Sequence, residues 1–247
     1  MAYEHLTISD EAGIAVVQID RPPANAMDLS LLAEGHACVE ELEARAPDAV
    51  VVTGSPGFFS AGVDLKLAPA LDFEGQRQMV EGINRLFADW YCYPGPVVAA
   101  VNGHAIAGGL ILALCADHRV CGPSGSFGLT EVKAGIGYPA VAMAVVRSEL
   151  SPQVARRLVL GGGLVAAEEG LAMGLFDELV DDDPLPRALE VARELAALPA
   201  NAYARIKGQV RGETMALARR AVAEGDDPLL GGWLDAEAEQ GAGSILG

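Results

Sequence analysis

The chain reads as an α/β unit followed by a helical region, and three features predict this. Over roughly the first 180 residues, short apolar runs of strand character alternate with stretches whose apolar residues fall three and four apart. From Pro184 onward the helical spacing continues with almost no strand signal. Of the 247 residues, 51% are hydrophobic, ample for a sizeable core. The division expected is 1–183 for the mixed core and 184–247 for the helical region. No fixed-period repeat or low-complexity linker interrupts the order.

The start predicts two strands, HLTIS and GIAVVQID, joined by the turn DEAG. RPPANAM follows as an extended loop, because a proline disfavours a helical conformation in the residue before it. Asp28 is placed to cap a helix over 29–46, whose apolar residues share one face. Next come a buried strand at 49–53, a loop of small residues, and a helix over 73–91. A strand at 97–101 leads to a second small-residue loop and a short helix over 109–115. ADHRVCGPSGSFG reads as a strand and turn, LTEVKAGIG as a loop, and a helix starts near Pro139. Ser151-Pro152 is a cap followed by proline at the first helical position, which predicts a helix over 153–160. A short helix over 166–173 precedes the strand DELV, and helices cover 188–198 and 202–223. The final GAGSILG is expected to fray.

Charge narrows the function classes. Seventeen basic against thirty-four acidic residues give a net charge of −17, which argues against nucleic acid or an anionic membrane as partner. An anionic ligand would have to be held by local basic groups and N–H dipoles. No apolar run reaches the roughly 20 residues of a membrane span. MAYEHLTISDEAG lacks the character of a signal peptide, so a cytoplasmic location is expected. Cys38, Cys92, Cys115 and Cys121 form no CxxC pair, and the four histidines are scattered. They read as reduced, mostly buried cysteines, without a metal site.

Most motif matches are uninformative. Gly135–Ala140 fits GxGxxA, but no strand leads directly into it, so a glycine loop ahead of a helix is the better reading. Ser60 in GFFSAG misses the spacing of a nucleophile elbow. Asp181–Asp183 reads as a solvated turn. Two stretches, FSAGVDLK at 59–66 and VNGHAIAGGLILAL at 101–114, read singly as strand-to-helix turns and together as something more. In each a strand-like run breaks into small residues and resumes with helical spacing. Small residues let a ligand approach the main chain, and a helix start leaves its first N–H groups unpaired. Two such N–H groups converging on one oxygen would stabilise an enolate or oxyanion. Glu131 is a lone carboxylate between apolar neighbours: an exposed loop residue, or a general base with a raised pKa.

FSAGVDLK, then NGHAIAGG, then Glu131 some 20 residues further resemble, in that order, the crotonase (enoyl-CoA hydratase/isomerase) superfamily. RPPANAM is similar to its early CoA loop, and AAEEGLAMGLFDELVD and ALPANAYARIKGQVR resemble its later segments. The resemblance covers nearly the whole chain. It implies a spiral of ββα turns with a C-terminal helical oligomerisation region, and a coenzyme A thioester as substrate without metal or redox cofactor. By the same resemblance, Val63 and Gly108 supply the two oxyanion N–H groups and Glu131 the base. Ala24, Ala26, Ser60, Ala61, Gly62, Asp64, Leu65, Lys66, Gly109 and Ile111 contact the substrate. Lys66 falls at a basic position near the nucleotide phosphates, and Lys207, Arg205 or Arg211 replaces a late basic residue.

One departure shapes the expected reaction. Hydratases of the family carry a glutamate at the position of Ile111, and isoleucine moves no proton. The pattern looks most like the Δ3,Δ2-enoyl-CoA isomerases, whose 1,3-proton shift needs a single base. A hydratase, another family activity such as hydrolysis or decarboxylation, and a non-catalytic CoA-binding scaffold stay open. Family likeness also implies a homotrimer or hexamer. Leu195, Leu198, Tyr203, Ile206, Val210, Leu229, Leu230 and Trp233 are the apolar residues expected to seal it.

Overall fold

The chain begins as a hairpin because Ala12 and Gly13 both adopt positive φ (57° and 89°), the geometry of a tight two-residue reversal. It joins β1 (Leu6–Glu11) to β2 (Ile14–Ile19) in antiparallel register. Asp28 then caps α1 (Leu29–Arg45), accepting from the Leu31 N–H. The computed structural model describes residues 3–64, 67 and 70–234. Leu65, Lys66 and the terminal GAGSILG lie outside them.

Three successive turns follow the same path. Each contributes a buried parallel strand to the large sheet: β3 (Ala49–Thr53), β5 (Val97–Val101) and β7 (His118–Cys121). Each then adds a short strand to a smaller sheet: β4 (Gly57–Ser60), β6 (Gly103–Ile106) and β8 (Phe127–Gly128). A helix closes each turn: α2 (Phe73–Cys92), α3 (Gly108–Leu114), and finally the one-turn α4 (Glu131–Ala134) with α5 (Ala140–Glu149). Two further strands complete the sheets: β9 (Leu164–Val165) after α6 (Pro152–Gly161), and β10 (Glu178–Leu179) after α7 (Ala167–Met173). The orders are β1-β2-β3-β5-β7-β10 and β4-β6-β8-β9.

The large sheet is covered on both faces, so its central strands are continuous apolar runs. Ala15, Val17, Val50, Val52, Ala99 and Val101 point into the main core with α1, α2, α3 and α5. Their neighbours Ile14, Val16, Val51, Val98, Ala100 and Val120 point the other way, under α8 (Pro184–Ala196), which buries Ala188, Val191 and Ala192 there. Asp183 caps α8 and Pro184 opens it, so the helix starts earlier than residue 188. The predicted 202–223 helix is two helices, α9 (Ala200–Val210) and α10 (Gly212–Glu224), separated at Arg211. Arg211 ends the first and begins the second.

Three other elements differ from expectation. The two small-residue stretches are not loops at their starts: β4 and β6 pair in parallel, Gly57 opposite Gly103 and Phe58 opposite His104. Strands this short carry no readable periodicity, and their hydrogen bonds exist only once two turns of the chain meet. Glu131 opens α4 rather than sitting in a loop. Leu229, Leu230 and Trp233, expected to seal an oligomer, pack on the chain's own core, Leu229 and Leu230 partly buried and Trp233 buried. Buried Asp227 fixes this segment by accepting from the Asn84 side chain and the Ala140 N–H, each at 2.7 Å. Nε1 of Trp233 donates to the Gly137 carbonyl at 3.0 Å.

Where α3 crosses β4, the main chains touch. A Cβ on Gly109 would lie 2.0 Å from the Ser60 carbonyl oxygen. Gly109→Ala is therefore expected to cost at least about 2 kcal/mol by forcing the turns apart. Thermal melting should show a Tm lower by about 4–8 °C.

Candidate active site

A cavity of about 390 Å³ lies between the small-residue turns and the segment from Thr130 to Ala142. Its size suits a small-molecule site. Ala24, Ala26, Ala61, Val63, Asp64, Gly108, Ile111 and Glu131 all line it, as the sequence implied. Ile106 and Ile111 form part of its apolar wall. Ser60, Gly62 and Gly109 do not line the cavity. Ser60 is fully buried, its hydroxyl donating to the Asn25 carbonyl at 2.7 Å and accepting from the Gly62 N–H at 3.1 Å. It ties the turns together instead of meeting a ligand. Gly62 and Gly109 serve the same close packing.

Two residues of the cavity wall, Val63 and Gly108, carry backbone N–H groups left outside the local pairing, for separate reasons. Met27 and Val63 form a parallel bridge in which the Met27 N–H donates to Gly62 O (2.7 Å) and the Asp64 N–H to Met27 O (2.9 Å). The N–H of the residue between, Val63, therefore points away from that bridge. Gly108 is the first residue of α3, so its N–H has no partner within the helix. A Cβ on Gly62 would lie 2.8 Å from the Gly108 nitrogen, which brings the two turns into backbone contact. Gly62 has φ of +78°, a second reason for glycine. Ala107, just before Gly108, is held at φ of +53°, a strained value for an alanine.

Glu131 is buried and its carboxyl is pushed up to about 7. Burial is the main cause, opposed by the Tyr138 hydroxyl and by backbone N–H groups of Glu131 and Thr130. Tyr138 donates to Glu131 Oε2 at 2.6 Å. The cavity's other carboxylate, Asp64, is ion-paired with Arg21 at 3.1 Å. Arg21 also pairs with Asp28 at 2.7 Å and donates to the Ala26 carbonyl at 3.0 Å.

Lys207 and Arg211 are not placed to meet a ligand phosphate from this chain. Lys207 is buried against Asp117 (2.7 Å) and the Gly95 carbonyl (3.0 Å). Arg211 donates to the Cys115 and Ala116 carbonyls at the end of α3, at 2.9 and 2.7 Å. A cation at a helix C-terminus satisfies its unpaired carbonyls. Arg205 is exposed.

Sequence reasoning missed Tyr138, Trp233, Phe87, Ile83 and Asn25. The first four line the cavity. Asn25 is fully buried at φ of +51°. Its side chain donates to the Phe58 carbonyl (2.8 Å) and accepts from the Arg21 N–H (2.8 Å). Tyr138 was visible in the AGIGYP loop, which is a glycine loop ahead of α5 as expected and also a wall of the cavity.

Residues 9–242 match the profile described as enoyl-CoA hydratase/isomerase. The chain belongs to that family. It is 35% identical over 211 residues to the probable enoyl-CoA hydratase EchA17 of Mycobacterium tuberculosis, covering 82% of this chain and 78% of that protein. It is 36% identical over 200 residues to carnitinyl-CoA dehydratase of Salmonella typhi, covering 78% and 73%. The crystal structure of human mitochondrial Δ3-Δ2-enoyl-CoA isomerase superposes with a TM-score of 0.90 at 25% identity, covering 98% of this chain and 97% of that one. The fold is thus the ββα spiral of this enzyme family. Among the described residues, no helix is long and apolar enough to cross a membrane.

The buried carboxyl has a consequence independent of activity. Its folded pKa, about 7, lies above the ordinary 4.5, so stability is lost as pH rises between those values. Glu131→Gln removes this dependence. The variant's Tm advantage over the wild type should widen from pH 5 to pH 8 in parallel melting scans.

Proposed function

We propose that the chain is a Δ3,Δ2-enoyl-CoA isomerase working with a single carboxylate base. The observation that carries this reading is the cavity's proton chemistry. Glu131 is buried with a raised pKa, Asp64 is ion-paired with Arg21, and position 111 is a fully buried isoleucine. Hydration of a 2-enoyl thioester needs one group to deprotonate a water and a proton delivered to C2. A 1,3-shift needs one base that removes a proton from C2 of a 3-enoyl thioester and returns it to C4.

In this reading, the Val63 and Gly108 N–H groups hold the thioester carbonyl oxygen. They stabilise the charge that develops as the C2–H bond breaks, each worth roughly 3–4 kcal/mol. The Glu131 carboxylate takes the proton and the dienolate stays in the apolar cavity. Ile106 and Ile111 exclude the water that would otherwise quench it. Ala24, Ala26 and Ala61 leave room along the main chain for the thioester arm.

The curated relatives are named hydratase and dehydratase, which favours a second reading and sets the assay. Isomerisation of a 3-enoyl-CoA creates a conjugated thioester and its ultraviolet absorbance; hydration of a 2-enoyl-CoA removes it. The expected outcome is a gain from the 3-enoyl substrate and no loss from the 2-enoyl one. Glu131→Gln should lower kcat about 10³-fold with acyl-CoA affinity unchanged, because the amide keeps the shape and accepts no proton. Near-wild-type turnover in that variant would remove Glu131 from the mechanism.

The quaternary proposal is a homotrimer or a hexamer. Its support is α9 and the turn before it, where Leu198, Ile206 and Val210 are exposed, Val210 by 80%. Closed cyclic assembly would cover them. Light scattering is expected to give three or six times 25.6 kDa; a stable, active monomer would contradict it.

A further inference from the structure

We propose that Tyr138 is the positioning residue for the base, fixing one oxygen of Glu131 so that the other alone exchanges protons with substrate. The inference rests on the isomerase reading for its chemistry, and on the 2.6 Å bond from the Tyr138 hydroxyl to Glu131 Oε2 for its geometry.

Both side chains line the cavity, on opposite ends of the segment that runs from α4 into α5. Gly135, at φ of +69°, ends α4 and turns the chain, which lets Tyr138 fold back onto Glu131. A phenol beside a carboxylate can donate to it and gains little by accepting. Burial, and then the neighbouring Glu131 charge, raise the Tyr138 pKa. The hydroxyl therefore stays protonated and donating across the working pH range.

With Oε2 so engaged, proton exchange with the substrate falls to Oε1. The C2–H bond breaks and an Oε1–H bond forms; then Oε1–H breaks and C4–H forms. One proton moves and none is lost, so no second acid is required. The same hydrogen bond favours the ionised carboxylate, against the burial that favours the neutral acid. Tyr138 thereby keeps the base usable near neutral pH.

Other charges around the pair leave this bond as the local control. Arg21 and Asp64 line the same cavity and pair with each other. On α4 itself Lys133 is exposed, and on α6, packed against α4, Arg156 and Arg157 are exposed. Arg157 also pairs with Glu169. On α5, Arg147 is exposed.

Two substitutions with opposite signs test the proposal. Tyr138→Phe removes only the hydroxyl, and should move the acidic limb of kcat/KM up by about one pH unit. Activity then falls about five-fold at pH 7 and recovers near pH 9, with KM unchanged. Fluorotyrosine at position 138 is a stronger donor of the same shape, and should move the limb down. The protonation of Glu131 is read separately from its carboxylic-acid infrared band, assigned by subtraction of the Glu131→Gln spectrum. The band's midpoint should follow the same two directions. A midpoint unmoved by both substitutions, or a uniform loss of activity at all pH values, overturns the role of Tyr138. A wild-type protein inactive on 3-enoyl-CoA, whose infrared midpoint still shifts as expected, would overturn the isomerase reading and leave the Tyr138–Glu131 coupling standing.

Discussion

The structure depends on one close approach: two consecutive turns of the chain meet backbone to backbone, with no side chain between them. Gly62 lies against the nitrogen of Gly108, and Gly109 against the carbonyl of Ser60. That contact holds the turn that carries Val63, bridged to Met27, against the start of α3 at Gly108. Neither N–H is a side chain, so nothing but the spacing of the main chain can position them. The glycines stand there because any Cβ would wedge the turns apart.

A polar scaffold maintains the approach from behind. Asn25, in a left-handed conformation, reaches the Phe58 carbonyl on β4 while its own carbonyl accepts from Ser60. Arg21 joins Asp28 at the cap of α1 to Asp64 beyond the bridge. At the far end of α3, Arg211 satisfies the last carbonyls and sits between Asp117 and Glu149, over the ring of Tyr91. A seven-residue helix has little stability of its own, so it is held at both ends by distant parts of the chain. Lys207 and Arg211 are occupied by Asp117 and by main-chain carbonyls, which is why these two are not available to an anionic ligand.

Burial then gives the site its reactivity. Glu131 begins a single helical turn whose other side packs under α6, and its carboxyl enters an apolar cavity closed by Ile111, Phe87 and Trp233. Removing water from a carboxylate raises its pKa, and hydrogen bonds, first that from Tyr138 and then those of nearby backbone N–H groups, work in the other direction. The balance of those two effects, not the identity of the glutamate alone, sets its proton affinity. Trp233 arrives from the end of the described chain, held by Asp227 and Gly137, so the last folded segment completes a wall that the first small-residue turns began.

Much of this was legible in the amino acids. The strands at 49–53 and 97–101, the Asp28 and Ser151 caps, and the α/β order followed from local signals: runs of buried β-branched residues, capping side chains and helical spacing. The ordered small-residue motifs and Glu131 mark residues that line the cavity, among them Ala61, Val63 and Gly108. What tertiary structure alone decided was everything made by contact between distant turns. β4, β6 and β8 exist only through pairing with one another, Ser60 turns inward to a tether 35 residues away, and Trp233 turns inward to close the cavity. Tyr138 meets Glu131 only because the chain reverses at Gly135. Local sequence specifies capping and periodicity through forces that act within a few residues. Register between remote strands, and the desolvation that raises the Glu131 pKa, depend on which surfaces finally exclude water.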